Sequence, residues 1–511
     1  LKFSHSRSWP AMLHMNDDTS TVASHGLLLS ECFWYSALAD LRKQFVKSWK
    51  STWGYAAPAE AFNAWFLERL NFDQGTVWPP SAGSLGHDGE TGAPSLLPLE
   101  GATSEALQTW VLLKTPYEWL TATADAQSAR ARLAEFVAQL KAPLPSMGWE
   151  GLPGEDVEAA VARLALDDLA DPAALRVAAR AAFRPLILAA LSPRLPAFSA
   201  SSAALLGDAR ASWLELYNLQ IQQSSSADSR LVAIEGRPTK TKTGTKFRVE
   251  LSGALPPELE GKLPRSYEIH VARIEKLRQA FCRQSSTHGP FAAASFEARL
   301  WAMLTRYQAL FGPHDEGAGW HMALTAEVFD SLEEDFGVAQ ELFASPLNCT
   351  LPAYCSVFED VDRCFGSRGR FFKFSRTVLA TDGGSFECNP PFEERLMRRA
   401  VHQLTSTLTE CAKPASVALV LPDWPESEAL AAALGASLCR GRVHICGDHH
   451  AYLNGRQHCC PAQHWLLRQR EARGSFVIFL QNDLGAALWP VSEGKFERHL
   501  QAWGRGCEPK K

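Results

Sequence analysis

The sequence has no uninterrupted apolar run of about 18 residues, the length that a membrane-spanning helix needs. It also has no excess of positive charge, because 51 lysines and arginines stand against 56 aspartates and glutamates, for a net charge of −5. A membrane span is therefore not expected, and a globally basic nucleic-acid-binding protein is excluded. Any contact with a nucleic acid must come from local positive patches.

The sequence also lacks Cys-x-x-Cys pairs, although it has 12 cysteines. Scattered cysteines of this kind indicate reduced thiols in an intracellular protein. Histidines and cysteines do gather near one another at His444, Cys446, His449, His450, His458, Cys459, Cys460 and His464. Their spacing fits no paired-ligand pattern of structural zinc sites, so we expect no metal.

Length and composition predict a large protein with more than one hydrophobic core. The 511 residues, of which 46% are hydrophobic, favour two main domains over an array of repeats. The first half has helical periodicity, for example from Leu27 to Trp49. Residues 76–104 are rich in Gly, Pro and Ser and are expected to form a loop or to be disordered. The last third alternates strand and helix patterns.

A basic hairpin is predicted where two apolar runs flank a turn at residues 243–245. No acidic residue separates its basic residues, which are Arg237, Lys240, Lys242, Lys246 and Arg248. Such a row of charges can follow a phosphate backbone, and binding of this kind weakens with salt. It can also be a solvated charged loop, because charge runs usually lie at the surface. Helical patterns follow from Tyr267 to Arg283 and from Phe296 to Phe311.

The sequence Asn389-Pro390-Pro391-Phe392 has the composition that methylation of the adenine amino group requires. That amine is a poor nucleophile because its lone pair is delocalised into the purine ring, so an enzyme must hold both of its N–H bonds. The side-chain carbonyl of Asn389 and the backbone carbonyl of Pro390 provide two acceptors, while Phe392 can stack on the base. The two prolines fix the backbone and remove N–H donors from it.

Asn-Pro pairs also mark ordinary turns, so the tetrapeptide alone is compatible with a plain strand-to-helix corner. The flanking sequence favours the functional interpretation. An apolar run precedes the tetrapeptide, and Ser416 to Leu421 has the pattern of a buried strand. Between them lies a predicted helix, whose apolar face consists of Leu396, Met397, Ala400, Val401, Leu404 and Leu408.

Longer blocks surround the tetrapeptide in a fixed order. They are Arg306 to Gly312, Phe343 to Cys349, Tyr354 to Ser356, Phe365 to Gly369, Gly384 to Phe392, Gln457-His458, Phe479 to Asp483 and Trp489. In this order the sequence resembles the cap-specific adenosine-N6-methyltransferase family known as phosphorylated-CTD-interacting factor. That family modifies 2′-O-methyladenosine next to the 7-methylguanosine cap of mRNA. A weaker match, Ala61 to Arg69, extends the resemblance into the helical half.

The resemblance implies an α/β fold with a Rossmann-like class I S-adenosylmethionine-dependent methyltransferase core packed against a mainly α-helical N-terminal domain. It implies S-adenosylmethionine as donor, S-adenosylhomocysteine as product, no metal, the capped 5′ end of RNA as partner and a nuclear location. The expected divisions are a helical domain over 1–230, a basic strand platform with connecting helices over 231–325, the core over 326–503 and a tail over 504–511.

The resemblance also implies positions for the ligands. The methionine end of the donor would lie at the loop formed by Ala344, Ser345, Pro346, Leu347 and Asn348, near Asn389. An acid, Asp360 or Asp362, would bind the ribose hydroxyls, and the turn of Phe365, Gly366 and Ser367 would allow a close approach of the backbone. The expected RNA contacts are Glu394, Trp424, His450 and Tyr452. A tryptophan at position 424 could equally be packed in the core.

Two departures from the family affect the expected partners. Ala64 stands where the family has an arginine that helps to hold the capped end, so one basic cap contact is missing. No N-terminal WW module is visible, so binding to the phosphorylated polymerase tail is not implied. Two other functions remain open: adenine-N6 methylation of internal RNA or DNA, and a catalytically silent RNA-binding scaffold.

Overall fold

A computed structural model describes most of the second half of the chain and parts of the first. The described residues are 17–53, 57, 61–72, 153–164, scattered positions within 133–141 and 178–205, 233–241, 244–257, 259–284, 294–312, 317–424, 427–459, 466–468 and 474–508. The predicted loop at 76–104 lies outside them. No helix among these residues is both long and apolar enough to cross a bilayer.

Before residue 233 the described chain is helical, with α1 (Asp17–Trp53), α2 (Ala61–Phe72) and α3 (Gly154–Ala162) as its continuous helices. The helix predicted from Leu27 to Trp49 is confirmed within α1. Its apolar positions recur at helical spacing and are buried, as at Leu28, Cys32 and Leu38. This spacing places one face of α1 against α5 (Phe296–Phe311).

The predicted hairpin is confirmed as β1 (Ala233–Thr241) and β2 (Gly244–Ser252), which pair in antiparallel register. A third strand, β3 (Ser266–His270), pairs with β2 and is followed at once by α4 (Val271–Gln284). The helix predicted to begin at Tyr267 therefore begins four residues later. The first residues of that pattern join the sheet because β2 offers them a row of backbone partners, which a local periodicity does not reveal.

A five-stranded mixed sheet forms the second half of the molecule, in the order β4-β5-β6-β10-β7. The strands β4, β5 and β6 are parallel, whereas β10 is antiparallel to both β6 and β7. Single parallel bridges add Tyr354 beside Glu341 of β4, and Ser367 beside Tyr354. The strands are β4 (Gln340–Glu341), β5 (Gly384–Cys388), β6 (Ala415–Pro422), β7 (Cys439–Ile445) and β10 (Ser475–Gln481), with a small separate pair, β8 (Ala451–Leu453) and β9 (Leu466–Arg468).

Helices cover both faces of this sheet. Alternate residues of β6 belong to two different apolar clusters, Val417 and Leu419 to one and Ala418 and Val420 to the other. The helices are α6 (Ala326–Phe336), α7 (Glu359–Asp362), α8 (Phe371–Phe374), a π-helical turn (Ser375–Leu379), α9 (Ala380–Asp382), α10 (Glu394–Glu410), α11 (Glu428–Gly435), α12 (Asp483–Leu488) and α13 (Glu493–Gly506). Short 3-10 turns lie at Ala318–His321, Arg363–Phe365 and Gly447–His449. The protein is thus a mixed α/β protein with a helical N-terminal region.

The predictions around the tetrapeptide are confirmed at the level of elements. The predicted apolar helix face is buried in α10, including Leu396, Met397 and Leu404. All of β6 is buried, as expected for a central strand. At the end of the chain, α13 continues to Gly506 and Cys507 is buried, so the first residues of the expected tail are part of a helix.

A buried ion network joins the helical region to the core. The guanidinium of Arg306 in α5 donates to the carboxylate of Glu31 in α1 and, at 3.1 Å, to Asp360 in α7. Arg306 and Glu31 are fully buried. Three helices distant in sequence are therefore tied together.

Candidate active site

A pocket lies where the carboxyl ends of β4 and β5 meet the helical region. It includes about 660 Å³ of space, part of which is open to solvent. The loops after β4 and β5 form its floor through Ala344, Ser345, Asn348, Asn389 and Pro391, and Ser356 adds a hydroxyl. Its apolar walls come from α2, α5 and the adjoining turns, namely Leu67, Tyr307, Leu310, Phe311, Trp320 and Met322. Five of the residues predicted to form the site are thereby brought together.

The loop after β4 is fixed by hydrogen bonds within the protein. The Asn348 side-chain oxygen accepts the Ser345 N–H at 2.7 Å, and its amide donates to the His321 carbonyl at 3.2 Å. The Leu347 N–H donates to the Ser345 hydroxyl, and the Cys349 N–H donates to the Ser345 carbonyl at 2.9 Å. The loop is therefore held in one shape before any ligand arrives.

The imidazole of His321 contacts this loop. Its Nδ1 lies 2.8 Å from the Gly455 carbonyl, which can only accept, so Nδ1 carries the proton. The Nε2 atom is then an acceptor, and it shares the Ser345 hydroxyl proton with the Asn348 side-chain oxygen, which lies 3.0 Å from that hydroxyl. Burial lowers the pKa of His321 to about 4, which keeps the imidazole neutral near pH 7.

Asn389 follows β5 directly and its side-chain oxygen is buried without a hydrogen-bond partner. The turn after it is closed by the Glu393 N–H, which donates to the Pro391 carbonyl at 2.7 Å. The Glu393 carboxylate then caps α10 by accepting the N–H groups of Arg395 and Leu396. Strand, turn and cap together fix the position of Asn389, which lines the pocket.

Phe392 lies between two other aromatic rings. Its ring is perpendicular to that of Trp424, with centroids 6.3 Å apart, and to that of Tyr452, at 5.8 Å. Trp424 is 39% exposed, so it is not a core residue. Tyr452 is buried and its hydroxyl lies 2.7 Å from the Ser475 hydroxyl. One ring thus supports Phe392 from inside while the other extends the aromatic surface to solvent.

His450 does not lie at that surface. It is buried, and its Nε2 lies 2.9 Å from the same Ser475 hydroxyl that Tyr452 contacts. Glu394 is also directed elsewhere, because its carboxylate accepts the Ala429 N–H at 2.9 Å and so caps α11. The structure gives His450, Tyr452 and Glu394 supporting contacts, and their predicted contact with substrate stays a prediction.

The acids predicted to bind ribose hydroxyls are occupied inside the protein. Asp360 pairs with Arg306, and Asp362 accepts the Tyr307 hydroxyl at 2.7 Å. Burial raises the pKa of Asp362 to about 7. Neither acid is part of the pocket lining. Tyr307 does line it, so Asp362 acts on the pocket by orienting that ring.

The turn at Phe365, Gly366 and Ser367 also lies outside the pocket lining. Gly366 has a φ of 106°, a conformation that favours glycine. The Phe365 carbonyl accepts the Tyr354 hydroxyl at 2.9 Å, and the Ser367 hydroxyl lies 2.6 Å from that of Ser356. Pro346 and Leu347, between the two polar residues of the first loop, are likewise absent from the lining.

The expectation that the charges of the basic hairpin are unopposed is wrong. Arg237 and Arg248 both pair with Glu250, at 3.2 and 3.3 Å, and Lys246 pairs with Glu268 at 3.4 Å. Antiparallel pairing places these acids beside the bases, which the order of residues along the chain conceals. Lys240 is exposed, and Lys242 lies outside the described residues.

Ala64 is 1% exposed within α2. An arginine could not occupy this position without rearrangement, so the missing cap contact cannot be restored by a single substitution. Its neighbour Asn63 donates to the Phe311 carbonyl at 3.2 Å and accepts from Arg42. The segment is thus a packed junction between α1, α2 and α5.

Sequence reasoning missed several wall residues of the pocket. Tyr307 and Ser356 lie within blocks that resemble the family, which was their available signal, but His321 has no local pattern that distinguishes it from other residues. In the cysteine- and histidine-rich segment, the described residues contain no group of three potential metal ligands. Cys460 and His464 lie outside the described part of the chain.

Comparison with known proteins places the similarity over this site. A family model described as the phosphorylated CTD interacting factor 1 WW domain matches residues 276–455, from within α4 to just after β8, and so includes both pocket loops. The expectation that the chain lacks this WW domain is therefore wrong, and the reason for leaving the phosphorylated polymerase tail out of the expected partners is removed. The expectation concerned the N-terminus, whereas the match lies farther along the chain.

Two relatives share the region in detail. A human protein named mRNA (2′-O-methyladenosine-N(6)-)-methyltransferase is 39% identical over 211 residues, and a mouse protein of the same name is 38% identical over 211 residues. Each alignment includes 41% of this chain and 29% of the relative. The chain thus matches less than a third of the length of these relatives, and over that part it is similar to enzymes that methylate N6 of 2′-O-methyladenosine in mRNA.

Proposed function

We propose that this protein transfers a methyl group from S-adenosylmethionine to N6 of the adenosine, or 2′-O-methyladenosine, next to the cap of mRNA. The buried, unpartnered oxygen of Asn389 is the observation that carries the proposal. A buried acceptor without a partner is disfavoured by about 1–3 kcal/mol, so an N–H donor from a ligand would stabilise it. The amino group of adenine is such a donor.

The strand order supports a Rossmann-like core. Across the sheet, the neighbours in turn are Ser367, Tyr354, β4, β5 and β6. When each is numbered by its position along the chain, this spatial order reads 3-2-1-4-5. This is the order of doubly wound sheets, and β10 with β7 extends it by antiparallel pairing. In such sheets ligands bind beyond the carboxyl ends of the strands where the order reverses, which here is between β4 and β5. The pocket lies at that place.

The residues of the pocket fit the methyl donor. The backbone N–H groups of Ala344, Ser345, Leu347, Asn348 and Cys349 all donate within the protein. The loop would therefore meet a ligand through carbonyl oxygens and not through N–H groups, which suits an ammonium group such as that of the methionine end. S-adenosylmethionine supplies a methyl group on a sulfonium, so no covalent enzyme intermediate is needed.

The residues after β5 would hold the base. Asn389 Oδ1 accepts one N6 proton and the Pro390 carbonyl accepts the other, so that the nitrogen lone pair is directed toward the donor. Phe392 stacks on the purine, and the exposed Trp424 offers a second ring to a neighbouring base or to the cap. The N6 proton released by the transfer passes to solvent. The aromatic surface of Phe392 and Trp424 is supported from within the protein by Glu394, His450 and Tyr452.

The cap-adjacent position and the nuclear location rest on the resemblance to the phosphorylated-CTD-interacting factor family, and the names of the two relatives support 2′-O-methyladenosine of mRNA as the target. A terminal nucleotide is also easier to extrude into a pocket than a stacked internal one. The test is to incubate the protein with labelled S-adenosylmethionine and oligonucleotides that start with adenosine, 2′-O-methyladenosine or guanosine, capped and uncapped. Label in N6-methylated adenosine of the capped oligonucleotides alone is the expected result. Equal label in uncapped or internal adenosine would reject cap specificity, and no label at all would favour a silent scaffold.

A further inference from the structure

Two cations of α4 reach across to the chain that follows the pocket loop. Lys276 Nζ donates to the carbonyls of Cys349 and Thr350, at 2.8 and 2.7 Å. Arg273 donates to the Cys349 carbonyl at 3.0 Å. These carbonyls come directly after Asn348, which lines the pocket and closes the loop onto Ser345. The end of the loop is thus held by side chains from outside the core sheet.

The same short segment is held from the opposite side by Glu341, the last residue of β4. Its carboxylate accepts the N–H groups of Thr350 and Leu351, at 2.7 and 2.6 Å. Carbonyls face two cations while N–H groups face a carboxylate, so the polar groups of one turn are matched by charge on both sides. Hydrogen bonds to charged groups are about twice as strong as neutral ones. Such matching restricts the segment far more than a solvent-exposed turn would be restricted.

The burial of Lys276 also favours a structural role at this turn. It is largely removed from water, and that burial lowers the pKa of its ammonium group. A largely buried lysine with two hydrogen bonds to backbone carbonyls of one turn is placed to fix that turn. Lysine reaches such carbonyls as a compact charge on a flexible stem.

We propose that Lys276, assisted by Arg273, is a positioning residue that sets the affinity of the pocket for the methyl donor by fixing the loop from Ala344 to Asn348. This inference rests on the proposed function, because it takes S-adenosylmethionine as the ligand of that loop. It also means that the donor site is completed by α4, a helix that continues directly from the basic three-stranded sheet.

The neighbouring Arg278 provides a matched control on the same helix. It is a partly buried cation too, but it pairs with Glu297 of α5 at 2.9 Å and lies over the Phe296 ring. Its loss removes a cation and its packing from α4 without touching the loop. A general loosening of the helix would therefore affect Arg278→Met and Lys276→Met alike, whereas a positioning role affects only the second.

The experiment measures binding of S-adenosylhomocysteine by calorimetry to the wild type, Lys276→Met, Lys276→Arg and Arg278→Met, with thermal unfolding as a check of folding. Lys276→Met loses two charge-assisted hydrogen bonds. Its affinity for S-adenosylhomocysteine should therefore fall by about tenfold or more, equivalent to about 1.4 kcal/mol or more. Lys276→Arg and Arg278→Met should stay within about threefold of the wild type. Amide hydrogen exchange at Thr350 and Leu351 should accelerate in Lys276→Met alone.

The outcomes separate the two proposals. If the wild type does not bind S-adenosylhomocysteine, the proposed function fails and this inference fails with it. If the wild type binds and Lys276→Met binds equally well with unchanged amide exchange, the proposed function stands and the positioning role is rejected. Should Lys276→Met not fold, Lys276→Gln, which keeps one donor group, is measured in its place with the same criteria.

Discussion

Trp424 shows how a single exposed ring can extend a binding surface. It contacts the edge-on ring of Phe392 but leaves 39% of its own surface in solvent. Replacing it by alanine should therefore disturb folding little. Stacking on a base is worth about 1–3 kcal/mol, so Trp424→Ala should raise the KM for RNA by about fivefold or more.

Donor affinity should not change in this variant, which calorimetry with S-adenosylhomocysteine measures. Leu488→Ala is the matched control, since Leu488 is another exposed large apolar residue, 56% exposed on α12. If both variants leave the KM for RNA at the wild-type value, Trp424 has no part in binding RNA.

For single residues, the sequence predicts which side chains have functional groups better than it predicts the hydrogen-bond partners of those groups. Asn389 is predicted from its tetrapeptide and lines the pocket. Asp362 and Glu394 resemble ligand-binding acids in sequence, yet each bonds to a residue far along the chain, Tyr307 and Ala429. Such partners are fixed by tertiary packing, which no local pattern contains.

The packing of α13 against α6 makes stability depend on pH. In α13, His499 Nε2 accepts the Trp503 N–H at 3.1 Å, so its protonated Nδ1 donates to the Ser331 hydroxyl of α6 at 2.5 Å. Both ring nitrogens are therefore used by the neutral imidazole. Burial lowers the pKa of His499 from 6.5 to about 4. Protonation would put a second proton on Nε2, where Trp503 already donates.

Because the folded pKa is the lower one, the unfolded chain binds more protons between pH 6.5 and 4. The stability that neutral His499 contributes is present above about pH 6.5 and is lost as the pH falls toward 4, by roughly 3 kcal/mol. Replacement by Gln should reduce this loss relative to the wild type, as urea unfolding at several pH values measures. The other buried histidines remain in both proteins, so parallel pH curves for the two would refute the assignment.

Helices and strands whose apolar residues recur at a regular spacing were predictable from the sequence. Strands defined by their pairing with another strand were not. The apolar face of α10 and the buried run of β6 follow from the spacing of their own residues. The strand β3 instead takes residues with a helical pattern, because β2 needs an edge partner. The antiparallel insertion of β10 between β6 and β7 likewise depends on contacts between distant segments.

At the scale of the whole molecule, a variant of the basic hairpin can show whether RNA outside the pocket runs along this hairpin. Glu250 pairs with both Arg237 and Arg248, and exposed ion pairs of this kind are worth about 0–1 kcal/mol. Phosphates can compete with so weak a partner. Glu250→Gln removes the carboxylate partner of both arginines, so RNA affinity should increase and its dependence on salt should become steeper, by roughly 0.7 in log–log slope per added contact.

The control for this experiment is Glu428→Gln, which removes a similar partner, at 2.8 Å from Arg398, on the surface of the core. It should leave the salt dependence of RNA binding as in the wild type. An unchanged slope in Glu250→Gln would assign the hairpin to plain solvated surface, the alternative that its sequence leaves open.

The central claim is that Asn389 holds the amino group that accepts the methyl group. The most direct measurement compares the wild type with Asn389→Ala in single-turnover methylation of capped RNA that starts with 2′-O-methyladenosine, with S-adenosylhomocysteine affinity measured in parallel. Loss of the acceptor should lower the rate by more than about tenfold while the affinity for S-adenosylhomocysteine stays within about twofold. Retention of more than about a tenth of the rate, a loss of less than roughly 1.4 kcal/mol, would contradict the account.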